Sequence, residues 1–145
     1  MALKRADDWP ERLHEAIQAQ RRLPFAWGSH DCALFVADCI WAMTGTDLAA
    51  DYRGKYTDEA GAAATIKQVT GGSTVEDVAI KAAKDHGLAE ISPKLAQRGD
   101  MLLFDLAGGP TLAIVNLDGV HALAVSPKGL TRLRTLDAKR AWRTS

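Results

Sequence analysis

The segment "DCALFVADCIWAM", Asp31 to Met43, limits what this chain can fold into more than any other stretch. At helical spacing Cys32, Phe35, Val36, Cys39, Ile40 and Met43 share one face, and Leu34 and Trp41 cover the opposite one. Only Asp38 interrupts. A helix that is apolar nearly all round has to be buried centrally, so the rest of the chain must supply layers on both sides of it. Thr44-Gly45 ends the helix, and Arg53, in an Arg-Gly turn, is the candidate partner for Asp38.

The flanking segments supply those layers. An N-terminal helix is expected from a cap at Asp7 or Asp8, with Pro10 in its first turn, to about Arg22. Leu13, Ile17 and Ala16 form its buried stripe, His14 lies beside that stripe, and Pro24 closes it. Helices at about 58–70 and 74–86 follow, separated by "TGGST", with Thr74 as the cap of the second. The period then changes: "GDMLLFDL", "TLAIVNL", "VHALAVS" and "LTRLRTL" read as strands joined by Gly-Gly-Pro, Asp-Gly and Pro-Lys-Gly turns. A helical half followed by a strand half predicts an α+β domain with helices packed on an antiparallel sheet of four to five strands. At 145 residues this is one domain, with no repeat or linker.

Charge excludes several functions. Eighteen Lys and Arg balance eighteen Asp and Glu, so no global field recruits nucleic acid or an anionic membrane. The stretch from Lys128 to Ser145 does lean basic, which suits either a solvated surface or docking to an acidic partner. No run approaches the roughly 20 apolar residues of a membrane span. The opening "MALKRADDWPERL" lacks the apolar segment of a secretory signal, so synthesis and folding are expected in a cytosol. Cys32 and Cys39 lie two helical turns apart, about 10 Å, too far for a disulfide. The four histidines, His14, His30, His86 and His121, are scattered, so neither a zinc site nor any other cofactor is expected.

Chemistry centres on Cys32, at the first turn of the central helix with Asp31 as its cap. Helix N-termini stabilise anions and can lower a thiol pKa well below about 8.5. A nucleophilic cysteine also needs a base within hydrogen-bond reach and a group to orient that base. The other reading is that Cys32, like Cys39, is a small core residue. Trp27, Trp41 and Phe25 line either a groove or the core, and Arg53 and Asp100 are expected to hold loops.

The order of these pieces resembles the NlpC-type, papain-like cell-wall peptidases. "WGSHDCALFV" is similar to that family's approach to its catalytic cysteine at the head of a central helix. "QRGDMLLFDLAGG" resembles its first core strand, "TLAIVNLDGVHALAVSPKGL" its following hairpin, and "RAWR" its terminal segment. The similarity spans residues 23–143, with residues 1–22 as an added helix. The resemblance places Cys32 on the nucleophile and His121 on the orienting residue. At the position of the family's catalytic histidine it places Thr111, which cannot take a proton from a thiol near neutral pH. A shifted His121, an inward His30 or a neighbouring subunit would have to supply the missing base.

Within that family, "DCALFVADCIWAMTGTDLAADYRGKY" resembles small phage and prophage tail proteins that lack the histidine. This implies a virion component of the tail tip or baseplate hub, assembled in the host cytoplasm. Its partners would be other tail proteins and, later, peptidoglycan, with no nucleic acid and no membrane insertion. Catalysis is then degenerate. The alternatives are an active cysteine hydrolase cutting peptidoglycan stem peptides at genome entry, and a cytosolic thiol amidase or acyltransferase.

Overall fold

A computed structural model describes residues 3–145. Helix α1 (Trp9–Gln20) buries Leu13 and Ile17, as its spacing predicts. Its cap differs: Asp8 caps no backbone amide and instead pairs with Arg12 at 2.6 Å. Helix α2 (Cys32–Thr44) is the central helix, with Leu34, Phe35, Val36, Ala37, Cys39, Ile40 and Met43 buried. Gly45 ends it in the left-handed conformation (φ 78°). Trp41 departs from the expected all-round burial. It is 46% exposed, and the Arg53 guanidinium stacks over its ring at 5.0 Å. The same guanidinium pairs with Asp38 and Asp47, which settles how a charge is tolerated on this helix.

Helices α3 (Glu59–Thr70) and α4 (Val75–His86) pack as a pair against α2, joined through Leu34, Ala37, Ala49, Tyr52, Ile66 and Val78. Thr74 caps α4, with Asp77 returning the bond in a capping box.

The second half forms a six-stranded antiparallel sheet in the order β1-β6-β2-β3-β4-β5. The strands are β1 (Glu90–Ile91), β2 (Met101–Leu106), β3 (Gly109–Val115), β4 (His121–Ser126), β5 (Gly129–Arg134) and β6 (Arg140–Trp142). Four of these were expected. The additional β1 and β6 are two and three residues long, too short for an alternating pattern to show in a sequence. Thr135 and Leu136, expected to continue β5, turn instead into a short 3-10 helix (Thr135–Asp137).

The sheet is buried on both sides. Met101, Leu103, Leu112, Ile114, Leu123 and Val125 meet α1 and α2 in the main core. The alternate set, Leu102, Phe104, Ala113, Val115, Ala122 and Ala124, forms a second cluster on the far side, packed against Ile91, Ala96, Leu133 and Ala138. This is why "MLLF" and "LAIV" are continuous apolar runs rather than alternating ones.

Both ends of the chain are fastened at Asp100, at the start of β2. It is 1% exposed and accepts hydrogen bonds from the amides of Gln97 and Thr144 and from Arg5. No helix among the described residues is long and apolar enough to cross a membrane.

Candidate functional site

Asp31 sets the geometry around Cys32. Its backbone is extended, so the chain enters α2 abruptly and its side chain folds back over the helix end. Oδ1 accepts the Leu34 amide at 3.0 Å, while Oδ2 accepts the Gly28 amide at 3.0 Å and the Tyr56 hydroxyl at 2.6 Å. The carboxylate is 3% exposed. It therefore binds three elements together: the helix, the turn before it and the loop after it.

That turn requires glycine. Gly28 has φ +83°, and a Cβ there would sit 2.0 Å from the Tyr56 carbonyl oxygen. Gly54 donates its amide to the Gly28 carbonyl at 3.0 Å, so the 45–58 loop lies directly against the 26–30 turn. Phe25 and Trp27 meet edge to face at 4.9 Å beside it.

Cys32 is half-buried and free, and Cys39 is free and fully buried. Burial pushes the Cys32 thiol up to about 11. The amides of Leu112 and Ala33 pull it down and the charge of Asp31 pushes it further up. The expected lowering at a helix N-terminus does not survive, because burial outweighs it and the charge of the capping carboxylate adds to the effect of burial. At neutral pH the protonated thiol is therefore favoured more strongly than in a free cysteine.

No histidine bonds the sulfur. His121 opens β4, where its carbonyl accepts the Asn116 amide at 2.8 Å. Asn116 is four residues beyond Leu112, the β3 residue whose amide reaches the sulfur, so the two sites stand about 13 Å apart along the strand. His121 Nδ1 instead bonds Asp118 Oδ2 at 2.9 Å, and the His121 amide and ring together hold the Asp118 carboxyl down at about 2.

Thr111 is also turned away. It pairs with Phe104 across β2 and falls with Ala113 and Val115 on the far side of the sheet, and its hydroxyl donates to the Gly109 carbonyl at 3.2 Å. Leu112, whose amide reaches the sulfur, is on the α2 side of β3 and is no base either.

His30 is 5% exposed, and its Nδ1 lies 3.1 Å from Gln20 Oε1. Gln20 Nε2 donates to the Ala16 carbonyl, so Oε1 is the acceptor and the His30 proton is assigned to Nδ1. Nε2 is then a bare, buried lone pair with no partner. Burial lowers the His30 pKa, against the upward pull of Asp38 and Asp31.

Three contributors to the site escape a reading of the sequence: Tyr56, Gln20 and the Leu112 amide. Tyr56 stands in the quoted "RGKY", but nothing in that string says that its hydroxyl reaches 25 residues back to Asp31.

A cysteine at the head of a central helix packed on an antiparallel sheet gives this chain a papain-like α+β fold of the NlpC/p60 type. The crystal structure of the NlpC/p60 domain of the peptidoglycan hydrolase SagA matches it with a TM-score of 0.56 at 20% sequence identity, over 94% of this chain and 98% of that one. The chain belongs to the family described as "Domain of unknown function (DUF6950)", which matches residues 4–144. No curated protein matches the sequence.

Proposed function

We propose that this chain uses a papain-like peptidase fold structurally, with a silent nucleophile position, as a tail-tip or baseplate-hub protein of a phage or prophage. The observation that carries the silent site is the environment of Cys32: a thiol raised by burial, bonded by backbone amides and by no histidine. Loss of a general base removes about 10²–10⁴-fold in rate by itself, and more where the site acts as a unit. The tail setting rests on the resemblance of residues 31–56 to small tail proteins.

A second reading, an active cysteine peptidase or amidase on peptidoglycan, draws support from His30. Its unpartnered Nε2 lies on a residue two positions before Cys32 and could serve as the base if the 26–30 turn opened.

Cys32 alkylation, followed against pH by peptide mass spectrometry with Cys39 as the internal control, separates the two. The structural reading expects a rate that stays low below pH 8.5 and climbs only well above it, and no release of peptidoglycan fragments. Rapid alkylation below pH 7, lost in His30→Gln or His121→Gln, together with fragment release lost in Cys32→Ala, would overturn it.

A further inference from the structure

Strand β5 ends the sheet, and among the described residues nothing pairs with its outer side. Alternate residues of an edge strand present unpaired amides and carbonyls, which makes such a strand a template for one more. Along this edge Lys128, Arg132 and Arg134 follow one another, and Arg134 alone meets an acid, Asp137 at 3.5 Å. Leu130, Arg132 and Arg134 are on the helix side, since they oppose Val125, Leu123 and His121. The edge runs into an open groove of about 560 Å³ between the end of α1 and the β4–β5 turn, lined by Arg21, Arg22, Leu23, Phe25, Lys128 and Leu130 among others. No acidic side chain lines that groove, and Arg21, Arg22, Lys128 and Arg132 form no ion pair among the described residues.

We propose that this edge and groove form a docking surface for an extended acidic segment of a partner protein, which adds to β5 as a seventh strand. The charge pattern selects the occupant. A second copy would bring the same cations opposite themselves and be repelled, which is how charged edges block self-association. An acidic strand meets five cations and one acid. Leu23, 48% exposed, and Leu130 give its alternate side chains apolar contact. Backbone pairing supplies affinity and the side-chain pockets supply selectivity in this mode of recognition. A polyanion held by charge alone would need neither the free edge nor the apolar floor. This deepens the structural reading by giving the hub protein a partner chemistry, and it is measured independently of Cys32.

The test is fluorescence anisotropy with the whole chain and a fluorescein-labelled peptide of alternating Glu and Val, at low and at physiological salt. Saturable binding is expected, weakened by salt and weakened about tenfold or more in Lys128→Glu/Arg132→Glu. Arg21→Glu/Arg22→Glu, across the groove and outside the strands of the sheet, should weaken it in the same direction, so a misfolded edge variant cannot mimic the result. A peptide of the same charge with Pro at its centre should bind far more weakly, because Pro removes a ladder donor. Absence of binding, equal binding of the Pro peptide, unchanged binding in both variants, or equal affinity for an oligothymidylate would each overturn the proposal.

Discussion

The carboxylate of Asp31 takes hydrogen bonds from Leu34, Gly28 and Tyr56 and so occupies the helix end that would otherwise stabilise a thiolate on Cys32. Its negative charge adds to the effect of burial on the sulfur. Asp31→Asn removes the charge while keeping an oxygen that can cap the helix. The Cys32 alkylation profile should then move to lower pH yet stay above that of a free cysteine, because burial is the larger cause. An unchanged profile, or one that falls below about 8.5, would show that something other than burial and Asp31 governs the thiol. Asp31 and Cys32 were both legible in the sequence, since a cap followed by an apolar run is a local pattern. The base position was not. Leu112, Ala113, Ile114 and Val115 are all buried, so no alternation in the sequence says which of them faces α2, nor that Thr111 falls on the far side of the sheet.

At the level of elements, the site exists because two turns fit together, and glycine decides whether they can. Gly28 and Gly45 both have positive φ, at +83° and +78°. A Cβ at Gly45 meets nothing within 4 Å, whereas one at Gly28 meets the Tyr56 carbonyl. Gly45→Ala therefore costs only the left-handed strain, about 1–2 kcal/mol. Gly28→Ala adds a backbone clash and should cost clearly more, read as a larger fall in the urea midpoint. Equal midpoints for the two variants would mean that the 26–30 turn and the 45–58 loop are not held as a unit. The four long strands and the four helices could be read from period and punctuation, with boundaries within a few residues. Strands β1 and β6 could not, because their register is imposed by β2 and by Arg140, which bridges Glu90 and Glu76.

Across the whole molecule, stability should depend on pH through a residue that belongs to no surface ion pair. Burial lowers the His30 pKa, with a partial counter-pull from Asp38 and Asp31, so the fold disfavours the charged imidazole. An unfolded chain binds a proton there at about pH 6.5 and the folded chain binds it less readily, so stability is greatest above that pH and falls as pH drops below it. Two carboxyls, one half-buried and one buried, act oppositely. Asp38 and Asp100 have raised pKa values, chiefly through burial, so acidification relieves rather than imposes their cost, at pH values in and above the ordinary carboxylate range. Asp118, held down at about 2, is exposed and loses its small contribution only between about pH 4 and 2. Between pH 7.5 and 6 the His30 effect therefore stands largely clear of the carboxyls. Urea midpoints measured across that range should fall toward acid for the native chain. In His30→Gln, which keeps a side chain able to bond Gln20, they should fall less. The same slope in both chains would place the proton uptake on another group and remove the argument that the turn leading into Cys32 is closed around a neutral histidine.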